Sequence, residues 1–266
     1  MAKRIMITGA TGKIGKAIAE TLAADHGNTL ILVGRNREKC EAAIADIKSS
    51  IGSAHIEYDL CDVSRKIFVE ALFASSVSAW PEGARLDVLI NCAAAAPPSK
   101  RRTPEGYELQ WATNVLGYYW MMETFLPLMS KGGRIVNVAS YWAGGLDLDD
   151  PMFERSAYSN GSAYRASKQA DRMLTGAFAK IAKETAEGIT VNACHPGDVN
   201  SGLSNDLGFG GSDSPRQGAD TPAWLAVSPE VRGMTGGYFE QRTPVRCPFM
   251  EMKDESARLL EMCGTF

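Results

Sequence analysis

Short apolar runs and longer mixed segments alternate along most of the chain. The runs are Arg4–Ile7, Thr29–Val33, His55–Tyr58, Leu86–Ile90, Arg134–Val138 and Gly188–Ala193, most of them rich in Val and Ile. None alternates cleanly with polar residues, which is the pattern of strands covered on both faces. Between them, apolar positions recur at helical spacing opposite charged or polar faces, predicting helices over Gly15–Ala24, Arg37–Ser49, Arg65–Val77, Glu105–Met129 and Ala163–Ala186, with Pro127 ending or kinking the fourth. A last helix is expected over Asp254–Met262. Strands separated by helices imply βαβ units, hence an α/β fold with one doubly wound parallel sheet and helices on both faces. The one long stretch of turn formers, Ser201–Pro222, follows a strand end and is expected to be a substrate lid. There is no linker or repeat, so residues 1–266 are expected to form a single domain.

Composition narrows the class. With 266 residues, 45% of them hydrophobic, the chain is long enough for a two-faced core and too apolar for disorder. A net charge of -3 argues against nucleic acid or an anionic membrane as partner. No apolar stretch approaches the roughly 20 residues of a membrane span, and Thr8-Gly9 interrupts the first run before a signal-peptide core forms. The six cysteines form no C-x-x-C pair, and neither they nor His26, His55 and His195 have metal-ligand spacing, so no metal is expected. Reduced thiols in a cytoplasmic protein are expected.

Two clusters carry chemistry. The first run leads into Gly9-Ala10-Thr11-Gly12-Lys13-Ile14-Gly15 and at once into a helix. A dinucleotide pyrophosphate needs such a side-chain-free turn, so that its oxygens meet amides at a helix N-terminus. The second run ends in Gly34-Arg35-Asn36, with no carboxylate for a ribose 2′-hydroxyl and with an arginine suited to a 2′-phosphate. The expected cofactor is therefore NADP(H) rather than NAD(H), unless Arg35 is only a solvated charge. Farther on, Tyr164 and Lys168 stand one helical turn apart, where an ammonium favours the phenolate.

Tyr164-x-x-x-Lys168, with Ser140 upstream and the glycine turn at the start, resembles the short-chain dehydrogenase/reductase family over nearly the whole chain. Val33-Gly34-Arg35-Asn36, Asp87–Asn91, Ser228–Gly233 and Thr235–Phe239 are most similar to its retinol-dehydrogenase-like and WW-domain-oxidoreductase-like branch. The resemblance implies a Rossmann-type domain with Ser140, Tyr164, Lys168 and Asn114 as catalytic set. Tyr164 would exchange a proton with the substrate oxygen, Ser140 would hydrogen-bond it, and Lys168 would hold the nicotinamide ribose and lower the Tyr164 pKa. Asn114 would place a water beside Lys168. It also implies cofactor contacts at Asp59 and Leu60, at Asn91 and Ala93, and at Pro196, Gly197, Val199 and Ser201. Lys13 in the glycine turn, Cys92 and Ala94 beside Ala93, and Ser201 in place of threonine depart from the family pattern.

The expected function is hydride transfer between NADP(H) and a lipophilic carbonyl or alcohol, by a chain that could form a homodimer. The alternatives are a non-catalytic NADP(H) sensor and a nucleotide-sugar epimerase or dehydratase. Tyr158 is a rival phenol, but Ser162 stands where its lysine would be. Tyr141 and Trp142 form either an aromatic substrate wall or plain packing, and Lys100-Arg101-Arg102 either an anion-attracting patch or a solvated loop. Trp111, Trp120, Met121 and Met122 are expected in the core or at a subunit interface.

Overall fold

The computed structural model describes residues 2–52, 54–185 and 187–266; the expected helix end at Ala186 lies outside the described residues. Among them runs an eight-stranded sheet: β1 (Arg4–Thr8), β2 (Thr29–Gly34), β3 (His55–Leu60), β4 (Leu86–Asn91), β5 (Met129–Val138), β6 (Thr190–His195), β7 (Tyr238–Glu240) and β8 (Thr243–Val245). The spatial order is β3-β2-β1-β4-β5-β6-β7-β8. Every neighbouring pair is parallel except β7 and β8, which form an antiparallel edge. The order reverses between β1 and β4, and a doubly wound sheet opens a crevice at the carboxyl ends of such strands.

Alternate residues of each strand feed opposite layers. Ile5, Ile7, Leu30, Leu32, Val88 and Ile90 pack under α1 (Lys13–Ala23), α2 (Arg37–Ile51) and α7 (Pro215–Val227), through Ile18, Leu22, Ile47, Ala219 and Ala223. Met6, Ile31, Val33, Leu89 and Ile135 pack on the other face. There they meet α3 (Lys66–Ala79), α4 (Gly117–Phe125), α5 (Asn160–Glu184) and α9 (Lys253–Gly264). Both faces are covered, which is why the strands read as continuous apolar runs. Trp111, Trp120, Met121 and Met122 are at most 1% exposed, so the chain itself buries them. All six cysteines are free.

Two expectations are corrected, and three elements are new. The segment Glu105–Met129 is not one helix: a turn tied by Thr103 and Tyr107 gives way to a π-helix, Trp111–Leu116, then α4, a 3-10 turn at Leu126–Leu128, and β5. Glu108 accepts from the Trp111 amide at 2.7 Å, and Pro127 sits in the short turn that closes the segment. The stretch Ser201–Pro222 is not coil. It holds α6 (Gly202–Asp206) and most of α7, whose Pro215 at the first turn and Ser214/Gln217 capping box set its start. Finally, β7, β8 and the one-turn α8 (Pro248–Glu251) went unforeseen.

Candidate active site

At the crevice the end of β1 is bound to the end of β4: the Thr8 hydroxyl accepts from the amides of Cys92 and Ala93, at 3.0 and 3.2 Å. Next comes Gly9, with φ +66°; a Cβ there would lie 2.6 Å from the Ala93 Cα. A Cβ on Gly15 would meet the Gly9 carbonyl at 2.4 Å, so these two positions admit only glycine. The turn closes with the Gly12 amide on the Gly9 carbonyl at 2.9 Å. Gly12 then caps α1 in an extended conformation with no side chain on the first amides, which leaves them for an anion.

A cavity of about 360 Å³ is lined by this turn and, farther along, by Tyr164 and Lys168. Of the expected cofactor residues, Gly9, Thr11, Gly12, Lys13, Ile14, Gly15, Arg35, Ala93, Tyr164, Lys168, Pro196 and Ser201 line it. Arg35 is largely exposed at the rim, its guanidinium 4.0 Å from the Asp62 carboxylate.

Five expected cofactor residues do not reach the wall. Asp59 and Leu60 are the last two residues of β3, and the wall there is Cys61, Asp62 and Val63. The strand runs two residues beyond its expected end at Tyr58, which moves the lining turn downstream. Asn91 is turned into the sheet, donating to the Asn137 side chain at 2.9 Å, which in turn donates to Thr175. Gly197 borders a separate polar depression, and Val199 is buried against Gly218. Cys92 and Ala94, the departures noted beside Ala93, are on the wall, and so are Val33, Thr113, Val138, Ala139, Gly202 and Leu203, which were not expected there. Cys92 and Ala139 immediately follow a strand, and for them that position was the signal available.

At the inner end, α5 presents Tyr164 and Lys168 on one face. Its start is fixed by the Ser159 hydroxyl, which accepts from the Ser162 amide. Ser140, just beyond β5 and off the cavity wall, accepts from the Trp142 amide at 3.1 Å through its hydroxyl and is near enough to the Tyr164 phenol to favour its ionised form. The Lys168 ammonium lies 5.8 Å from the Tyr164 ring and donates to the Val138 carbonyl at 3.1 Å and to Asp171 at 2.7 Å. Ser140, Tyr164 and Lys168 are thus brought together. Asn114, in the π-helix, is not on the cavity wall. Its amide accepts from the Ala95 N–H and donates to the Ala95 carbonyl and the Ser167 hydroxyl, leaving little for a water.

Burial raises the Tyr164 pKa above that of an ordinary phenol, outweighing the opposite pull of Lys168 and of the nearby Ser140 hydroxyl. The net lowering expected from Lys168 is therefore absent in the protein alone. Burial also pushes the Cys92 thiol up to about 12, so it is a neutral wall group.

Around the phenol, Trp142 lies 6.1 Å from Tyr164 and meets Phe209 edge-on at 5.7 Å, while Tyr141 packs on His195 at 4.6 Å. The rival Tyr158 is bonded to Gln110 and Glu108. Lys100 and Arg102 pair with Glu154 rather than forming a free basic patch.

Residues 3–208 match the short chain dehydrogenase family. The chain belongs to that family of oxidoreductases, whose members bind NAD(P)(H). Retinol dehydrogenase 13 of Homo sapiens is 31% identical over 95% of this chain and 80% of its own length. A probable oxidoreductase of Streptomyces lividans is 30% identical over 92% and 86%. Among solved structures, an uncharacterised protein from Mycobacterium Paratuberculosis superposes with a TM-score of 0.81, covering 99% of this chain and 93% of the other at 24% identity. A short chain dehydrogenase of Burkholderia cenocepacia in complex with NADP gives 0.70 at 25% identity, over 89% and 95%. The site fits such a cofactor on its own terms: a cradle that any Cβ at Gly9 or Gly15 would block, open helix amides, and a cavity leading from them to a buried phenol and ammonium.

Proposed function

We propose that the chain is an NADP(H)-dependent oxidoreductase that interconverts a lipophilic carbonyl compound and its alcohol. The grouping of Ser140 with Tyr164 and Lys168, the last two on the wall of the cavity that begins at the glycine turn, carries this reading. When bound, the nicotinamide supplies or accepts the hydride. The glycine turn and the first amides of α1 hold the pyrophosphate, and Arg35 meets the 2′-phosphate. Two observations support that preference: no carboxylate ends β2, and the Burkholderia cenocepacia relative is a complex with NADP.

In the reducing direction Tyr164 hands its phenolic proton to the substrate oxygen as the carbonyl carbon gains hydride. Ser140 donates to the same oxygen while negative charge develops on it. The buried Lys168 ammonium stabilises the phenolate left on Tyr164, offsetting the burial that otherwise disfavours it. Asn114 works one step removed, by fixing Ser167 next to Lys168. Trp142, Leu203 and Phe209 provide the apolar surface for the substrate, with α6 and the residues up to Phe209 as the lid.

The test is NADPH oxidation against a panel of aldehydes, ketones, quinones and steroids, with NADH in parallel. Tyr164→Phe is expected to lower turnover by about 10³-fold or more while NADPH still binds. Undiminished turnover in that variant overturns the assignment. NADPH binding by the unaltered chain with no consumption across the panel would favour a cofactor sensor instead.

A further inference from the structure

The helix that carries Tyr164 and Lys168 continues inward to a second charged step. Asp171 is one turn past Lys168, its Oδ2 2.7 Å from the ammonium, with the two side chains 0% and 1% exposed. Asp171 Oδ1 has no hydrogen-bond partner. A carboxylate this deep is costly unless something requires it, and a leucine or alanine would fill the same helical position without that cost. The ammonium has three donors. One goes to Asp171 and one to the Val138 carbonyl, which also accepts from Tyr118, so one N–H remains for the cavity that Lys168 lines.

We propose that Asp171 is a positioning residue for proton transfer: it holds the Lys168 ammonium against Val138 so that its third N–H faces the cavity, and its charge offsets part of that ammonium's pull on the Tyr164 phenol. The inference rests on the oxidoreductase reading above for its kinetic consequences, but not for its geometry.

The groups facing the pair leave it in control. On α5 itself these are Tyr164 and Arg172, the latter committed to the Ser140 carbonyl and the Tyr238 hydroxyl. Tyr118 comes from α4, Cys92 from the end of β4, Cys194 from β6 and Cys263 from α9. Burial raises the pKa of all four of these, so they stay neutral in the working range. Burial also raises the Asp171 carboxyl, against Lys168. For Lys168 burial works against the ammonium, yet Asp171 and Tyr164 outweigh it and raise its pKa. The charges that change with pH at this step are therefore those of Tyr164, Lys168 and Asp171.

Two variants of the full chain separate anchoring from charge. Asp171→Asn keeps an acceptor for the ammonium and loses the charge. The inflection of kcat/KM for alcohol oxidation should then move to lower pH, and the ratio of the rates at pH 7 and pH 9 should rise about threefold or more. Asp171→Ala removes the anchor and should lower kcat about tenfold or more, with a smaller change in KM. A purely structural aspartate would leave the pH profile in place. A reading independent of turnover and of any Asp171 variant is the ammonium resonance of Lys168 in the unaltered chain, identified by its disappearance in Lys168→Arg. Slow exchange of its protons with solvent supports the anchoring even if the panel yields no substrate, whereas fast exchange overturns it. An Asp171→Asn profile that superimposes on the parent, with kcat intact in Asp171→Ala, also overturns the proposal.

Discussion

At the level of single residues, the chemistry depends on side chains whose spacing is short-range, and these were legible. Tyr164 and Lys168 share a helix face wherever that helix sits, and a glycine turn between a strand and a helix has one place in a doubly wound sheet. Residues given only by the family resemblance were less secure. Asp59 and Leu60 missed the cavity because β3 ends at Leu60 rather than Tyr58, and Asn91 missed it because its side chain turns toward Asn137. Arg35 tests the cofactor preference at this scale. Its side chain is 64% exposed and its guanidinium only loosely paired with Asp62, so it is available to a phosphate and dispensable for the fold. Arg35→Ser should weaken NADPH binding about 10- to 100-fold, the worth of a charge-assisted contact, and leave NADH within about threefold. Fluorescence titration of the two nucleotides measures it, and equal losses for both would remove the case for a 2′-phosphate site.

At the level of elements, legibility followed length. Strands β1 to β6 have enough apolar residues to declare themselves, whereas β7 and β8 have three residues each, too few to show a period. In Ser201–Pro222 the density of Gly, Ser, Asp and Pro hid α7, although Ser214-Pro215-x-Gln217 is a helix-start signal in its own right. The connection between β5 and α5 carries its own prediction. There the Asp150 carboxylate accepts from the amides of Glu154, Arg155 and Ser156. Burial would raise its pKa, but these amides and the Ser156 hydroxyl hold it down to about 2. A carboxylate lowered by folding stabilises the folded form above its unfolded pKa of about 4, and that contribution is lost as pH falls toward 2. Asp150→Asn should therefore melt at a lower temperature than the parent at pH 7, with the gap narrowing as pH falls from about 4 to 2. Thermal unfolding across that range checks it; a gap independent of pH would mean that the charge contributes nothing.

For the molecule as a whole, one cavity wall draws on the carboxyl ends of β1, β2, β3, β4, β5 and β6, together with the first turns of α1 and α6. Those elements belong to both layers of the core, so a ligand that touches all of them makes the two layers harder to separate. That gives binding a readout independent of any substrate. A ligand that binds only the folded chain stabilises it by about 2.7 kcal/mol at a hundredfold excess over its Kd. For a domain of this size that corresponds to roughly 5 °C in Tm. NADPH should produce a rise of that order, growing with the logarithm of its concentration, and Tyr164→Phe should retain most of it because the phenol oxygen is one contact among many. Gly9→Ala should abolish it, since the added methyl would occupy the cradle between Gly9 and Ala93 and force the turn away from φ +66°. Differential scanning measurements with NADPH and NADH at matched excess test the arrangement. A Tm that neither nucleotide moves would mean that the cavity does not take a dinucleotide, and the hydride-transfer reading would fall with it.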